Sequence, residues 1–326
     1  MGVVGQFFKR LGRVQEIGVI TALVALCLIL GVTTENFFQV NNLINIFRQA
    51  SYVGIMALGM VFVLSEGDVD LSVGGIYNLT GLITALMLTF GIPIIISVLI
   101  GIIVGALCGL FNLGLSVAFR IPTIIITLGT MSVFKGLGLV LSQASPIYQF
   151  SKDNWFFEIV GVTIPPDNKF GIPTSVIVML VLTVLLAILY TSTVFGTRVR
   201  AIGANLAAAK FTGINVNKYR AYVFALMGGL CAIASSLEVA FLQAGNPAMG
   251  GGVELMVIAA AIIGGTALSG GQGSVVGALI GALIIAVIRN GIIQLGVSIY
   301  WQSTVTGFVI IAAVAVDYLF KRRRLA

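Results

Sequence analysis

IPIIISVLIGIIVGALCGLFNLGLSVAF, residues Ile92 to Phe119, runs for 28 positions without an Asp, Glu, Lys or Arg and stops at Arg120. A helix needs about 20 apolar residues to cross a hydrocarbon core, and only helices and closed barrels satisfy their backbone groups there. The stretch therefore reads as a transmembrane helix ending at a cationic anchor. Nine further apolar segments flank it: Ile17 to Val32, Ala50 to Leu64, Leu71 to Phe90, Ile121 to Leu141, Ile172 to Tyr190, Ala221 to Leu242, Leu255 to Leu268, Ser274 to Ile288 and Ile299 to Phe320. Of the 326 residues, 59% are hydrophobic and 9% charged, where an ordinary soluble domain has about 25% charged. The expected fold is all-α, a polytopic integral membrane helical bundle of about ten transmembrane helices. The first segment reads as a retained span, because Glu35, Asn36 and two Phe follow it in place of a small-residue cleavage site.

Charge placement sets the topology. With the amino terminus inside and every segment crossing, thirteen of the eighteen basic residues fall on the inner side, in residues 9–13, 198–220 and 321–324 and at Arg120. That asymmetry is the positive-inside pattern, with both termini cytoplasmic. The net charge of +7 is thus mostly topological and is no sign of a nucleic-acid partner. The chain has no His, so the commonest general base and metal ligand are missing. Cys27, Cys108 and Cys231 stand alone in apolar segments without CxxC spacing, as packing residues do. No catalytic residue, metal site or cofactor is expected, which disfavours a membrane-embedded enzyme.

The chain reads as one transmembrane domain over residues 1–326: an N-terminal half at about 17–141, an outer loop at 142–171, an inner loop at 191–218 and a C-terminal half at about 219–320. The outer loop carries Asp153, Trp155, Glu158, Pro165, Pro166 and Asp167, and is either a receiving surface for a soluble partner or a solvated linker. Within the inner loop, Asn205 to Phe211 is Ala-rich and long enough for one or two helical turns, with Asn205 as N-cap. Such a helix can be offered to a soluble motor.

A shift of 197 residues lays Asp70–Leu88 on Ala267–Ile285 with seven matches in nineteen, among them Ser72 with Ser269 and Gly74 with Gly271. It also brings together Ala50–Leu64 and Leu255–Leu268, both shorter than a span. Short segments at corresponding places in two halves point to broken helices around a transport site. Six crossings separate the copies, so the repeat is parallel. Residues Leu268–Gln272 spell LSGGQ, a signature of nucleotide-binding ATPases, but no GxxxxGK[ST] accompanies it. It reads as a tight small-residue turn, and ATP is not bound by this chain. Glu66, Asp68 and Asp70 in SEGDVDLSVGG offer a cation site, a gate, or a helix start capped by Asp70 and Ser72.

SEGDVDLSVGG, IPTIIITLGTMSVFKG (Ile121–Gly136), GTRVRAIGANLAAAKFTGINVNKYR (Gly196–Arg220) and VELMVIAAAIIGGTALSGGQGSVVGALIGA (Val253–Ala282) together resemble the permease subunits of ribose-type carbohydrate ABC importers, the inner membrane component family of binding-protein-dependent transport systems. The resemblance implies ten helices, pairing with itself or a sister permease, two cytoplasmic ATPase subunits, a periplasmic or lipid-anchored sugar-binding protein, and a bacterial inner membrane location. It implies that the Gly196–Arg220 loop is the coupling element, with Gly203, Asn205, Ala208, Gly213 and Ile214 as contact residues. Pathway or gate candidates are Asp68, Asp70, Ser72, Asn78, Asn112, Thr127 and Glu254. The chain departs from the family at Leu206 and Ala207, where an acidic residue usually follows the Asn, and at Met256, where an Asp is common. Permeases for nucleosides or branched-chain amino acids, and an ion-gradient transporter using the carboxylates, are the alternative readings.

Overall fold

The computed structural model describes residues 14–150, 156–161, 163–164, 171–298 and the single positions 301, 304, 305, 307, 308 and 311. The helices are α1 (Val14–Thr33), α2 (Val40–Ser65), α3 (Val73–Thr89), α4 (Ile94–Phe119), α5 (Thr123–Ser142), α6 (Thr174–Ser192), α7 (Val194–Ala204), α8 (Leu206–Phe211), α9 (Val216–Leu242), α10 (Val253–Ile263) and α11 (Val275–Gln294). Six of them, α2, α4, α5, α6, α9 and α11, are long and apolar enough to cross a membrane. The last expected segment, Ile299 to Phe320, lies almost wholly outside the described residues.

The uncharged stretch Ile92–Phe119 supplies α4, and its outward face carries Ile95, Ile103, Leu107 and Phe111 exposed, as a lipid-facing helix does. Its other face packs against α9 through glycine. A Cβ added at Gly105 would lie 2.3 Å from the Gly228 carbonyl, and one at Gly109 2.0 Å from that of Phe224. Gly105 and Gly109 form a GxxxG pair, which lets two backbones approach where lipid supplies no hydrophobic drive for association. Gly277 and Gly281 of α11 repeat the device against Gly264 and Ala260 at the end of α10.

Helix α2 is the centre of the bundle and is buried from Ala50 to Ser65. The sequence suggested that Ala50–Leu64 was too short to span; instead α2 has 26 residues. Its polar first turns are helical because their side chains find partners. Asn42 and Asn290 of α11 exchange amide hydrogen bonds of 3.1 and 2.7 Å, Gln294 adds a third at 3.0 Å, and Arg48 lies 4.0 Å over the Phe241 ring. Leu255–Leu268 does hold a short helix, α10, of 11 residues.

The 191–218 connection holds more helix than expected. Besides α8, which runs where expected, Val194–Ala204 forms α7, started by Thr193 accepting from the Gly196 amide at 3.2 Å. Between α5 and α6, β1 (Thr163–Ile164) pairs antiparallel with β2 (Ile172–Pro173) beside a π-helical turn at Phe156–Val160, and Ile147 makes an isolated bridge with Gly245. Asp153, Trp155, Pro165, Pro166 and Asp167 lie outside the described residues.

Candidate functional site

Residues 66–72 leave the end of α2 and run non-helically to the start of α3, turning at Gly67 with a φ of 90°. Asp70 Oδ1 accepts the backbone N–H of Ser72 at 2.8 Å and its hydroxyl at 2.6 Å, and Asn112 Nδ2 donates to Ser72 Oγ at 2.7 Å. Thr127 Oγ1 accepts the Leu71 N–H at 3.1 Å. Asp70 therefore holds Ser72, the residue just before α3, but neither side chain caps the helix as expected, and Ser72 instead links Asp70 to Asn112. Asn112 is seven residues from the end of α4, about 10 Å at 1.5 Å per residue. The start of α3 is thus set well inside the level of its neighbours' ends.

A complementary break lies opposite. Residues 243–252 run back along α3, with Asn78 Nδ2 donating to the carbonyls of Pro247 and Met249 at 2.8 and 3.0 Å. They reach Gly74, whose added Cβ would fall 2.6 Å from the Gly250 carbonyl and 2.4 Å from Glu254 Oε2. Gly250, with a φ of 76°, approaches the Gly74 carbonyl equally closely. There α10 begins, with Glu254 in its first turn 3.8 Å from Lys135 of α5. Two short helices, α3 and α10, thus start beside one another inside the bundle, each with a carboxylate at its positive end. The two short helices that meet are α3 and α10: Leu255–Leu268 was singled out from the sequence and holds α10, whereas Ala50–Leu64, paired with it there, is part of the long α2.

Five of the pathway candidates, Asp70, Ser72, Asn78, Asn112 and Thr127, are buried within this chain and brace α3, α4, α5 and the 243–252 segment. Asp68 is different. Arg220 Nη2 and Nε lie 2.6 and 2.7 Å from its Oδ2, and Thr123 donates to Oδ1 at 2.7 Å, so one carboxylate ties the α2–α3 connection to the starts of α9 and α5. Lys135 and Arg220 were not singled out from the sequence; their partners lie 119 and 152 residues away. No periodicity signals such contacts.

At the same end of the bundle, α7 and α8 form a projecting elbow. Asn205 caps α8 by accepting the Ala208 N–H at 3.0 Å. Ile202, Ala209 and Val216 make a small core beneath, with Ile214 packed against it. Asn205, Ala208 and Gly213 are left exposed, and Phe211 stands 92% exposed. Gly203 points the other way: an added Cβ would lie 2.0 Å from the Ser65 carbonyl and 2.7 Å from the Gly271 amide. The LSGGQ stretch is the turn expected, with Gly270 and Gly271 both at φ 79° and the Gly271 N–H donating to Ser65 O at 2.8 Å. Leu206, the departure from the family pattern, is exposed beside Asn205, and so is Phe211, which the sequence marked only as the end of the short helix.

Residues 42–314 match a protein-family model described as "Branched-chain amino acid transport system / permease component". The chain belongs to that family. It is 38% identical to the ribose import permease protein of Bacillus subtilis, with 94% of each chain covered. It is 36% identical to the D-allose transport system permease protein of Escherichia coli, over 97% of this chain and 94% of that one, and 35% identical to the xylose transport system permease protein of Haemophilus influenzae, over 89% and 92%. No solved structure matches the chain. Permeases of this family are transport subunits and not themselves enzymes, and the chain is an integral membrane protein.

Proposed function

We propose that this chain is the transmembrane permease subunit of an ATP-binding-cassette importer that translocates a sugar delivered by an external binding protein. The observation that carries this reading is kinship of 35–38% identity over nearly the whole chain to permeases named for ribose, allose and xylose. The exposed α7–α8 elbow supports it, because it offers a soluble motor a rigid helix seated on a core of its own. The proposed topology has about ten crossings with both termini cytoplasmic, and α2–α3 and α10–α11 as a parallel repeat. The ends of α2 and α10 are 198 positions apart and the starts of α3 and α11 are 202 apart, close to the 197 of the sequence shift. The partners are cytoplasmic ATPase subunits, a periplasmic or lipid-anchored sugar-binding protein and a second permease chain.

In this mechanism, closure of the ATPase subunits pushes on α8, and α7 passes the movement through Gly203 to the end of α2 and the 264–274 turn. The Asp68–Arg220–Thr123 cluster carries the same movement to α3 and α5 from the start of α9. The α3 and α10 starts, with Asn78, Glu254 and Lys135, form the polar part of a corridor of low affinity, and the binding protein supplies selection.

Reconstituted vesicles holding the permease, its ATPase and its binding protein test the reading. Uptake of ribose, allose or xylose that requires ATP inside is expected; uptake of leucine instead, the second reading suggested by the family's description, or uptake without the ATPase along an ion gradient would replace it. Single-Cys labelling should find positions 205 and 323 reachable from the cytoplasm and 155 from outside. Labelling of 205 from outside removes the coupling argument.

Ala208→Glu and Gly213→Asp each place a charge on the exposed elbow surface, and Gly213 has a φ of 78° that a side chain strains. Both variants are expected to insert and fold yet to lose most ATP-driven uptake while the ATPase keeps hydrolysing. Wild-type uptake in both, with the ATPase still bound, would count against this surface.

A further inference from the structure

A cleft of about 630 Å³ opens at the α7–α8 end, between the approach to α3, the α4–α5 turn, α8 and the start of α9. Its charges are unequal. Arg220 and Asp68 in its wall neutralise one another, while the side chains of Arg120 in the α4–α5 turn and Lys210 of α8 have no ionic or hydrogen-bonding partner among the described residues. The cleft therefore carries two uncompensated positive charges. The first residues of α5, Thr123 and Ile124, also line it, adding the positive end of a helix whose first amides have no intrahelical acceptor.

One side of the cleft is apolar. Val117, Ile121 and Ile124 border it and are 41%, 37% and 44% exposed, and they continue into the outward faces of α4 and α5. A cationic recess joined to an apolar outer wall fits a molecule whose anionic head enters the recess and whose chains lie along hydrocarbon-facing helices. A free anion would use the cations but leave the wall unmatched. Basic recesses between helices at the cytoplasmic level are where anionic headgroups bind.

We propose that this cleft binds the phosphate of an anionic phospholipid of the inner leaflet, held between Arg120 and Lys210, so that lipid clips α8 to the α4–α5 turn. The inference rests on the cytoplasmic placement of the α7–α8 end proposed above. Lipid binding to the purified chain is measurable without ATPase or binding protein, so it stands or falls separately from the importer reading.

Native mass spectrometry of the delipidated protein, titrated with phosphatidylglycerol, tests it. Wild-type protein is expected to retain phosphatidylglycerol in preference to phosphatidylethanolamine, and the double variant Arg120→Gln, Lys210→Gln to show at least tenfold weaker retention. Lys218→Gln, outside the cleft, should match wild type, and Arg120→Lys should keep most binding, which separates loss of charge from misfolding. Equal retention by the double variant, or equal binding of phosphatidylethanolamine, overturns the proposal. Displacement of the lipid by glycerol phosphate at matched concentration overturns the lipid assignment in favour of a soluble phosphate.

Discussion

Gly228→Val and Gly109→Val are each expected to abolish recovery of monodisperse protein. The added Cβ atoms would sit 1.9 Å from the Gly105 carbonyl and 2.0 Å from that of Phe224. Backbone, unlike the end of a flexible side chain, cannot swing aside. The α4–α9 pair would have to separate by more than an ångström, opening voids along an interface that holds by close packing alone. Inserting methyl groups into a packed core typically costs about 1–3 kcal/mol even where side chains yield, and here the strain falls on two helices at once. Gly114 lies on the same α4 with nothing within 4 Å of an added Cβ, so Gly114→Ala should fold normally and gain up to about 1 kcal/mol from helix propensity. Size-exclusion profiles and thermal melts of the three variants in detergent decide the matter. A normal profile for either valine variant would show that α4 and α9 are not in backbone contact.

Asp70→Leu is the second change expected to be severe. Asp70 is fully buried, and one of its oxygens takes both the N–H and the hydroxyl of Ser72. Leucine leaves both donors without an acceptor in a fully buried site, at about 1–3 kcal/mol for each buried unpaired group. It also loosens Ser72 from Asn112 at the start of α3. Asparagine keeps an acceptor oxygen in the same place. ATP-driven sugar uptake should therefore survive largely in Asp70→Asn and be lost in Asp70→Leu. Equal and complete loss in both, with uptake that varies with pH or a cation, would make the carboxylate's charge the operative property and end the account in which Asp70 serves as the acceptor for Ser72.

These two sites show how unevenly the sequence disclosed the protein. GALCG at Gly105–Gly109 is visible as a small-residue pair, yet that it meets Gly228 and Phe224 depends on two helices arriving side by side. That Asp70 and Ser72 gather at the head of α3 was legible, because an Asp two residues before a Ser at the head of an apolar run is a local signal, although neither side chain caps the helix. Asn205 as the cap of α8 was legible for the same reason. Residues 40–49 were misread for the opposite reason. VNNLINIFRQ is polar when taken alone, and it is helical within the bundle because Asn42 finds Asn290 and Gln294, and Arg48 finds Phe241. The break at α3 was hidden because Leu71–Phe90 is long enough to span, and only the Ser72–Asn112 contact reveals how deeply its start is set.

Composition and hydropathy, by themselves, determined that this chain lives in lipid as helices, since 28 consecutive residues without charge permit nothing else in a 326-residue chain of this kind. Four local blocks of sequence determined its family. What only the tertiary structure decided are the meetings of distant residues: Asp68 with Arg220, Glu254 with Lys135, Gly203 with Ser65 and Gly271, and the starts of α3 and α10 beside one another. Hydrophobic patterning records how much of each helix faces away from water, a property of one segment. Which segments then touch is set by shape and by the pairing of polar groups across more than a hundred residues, and no single segment carries that information.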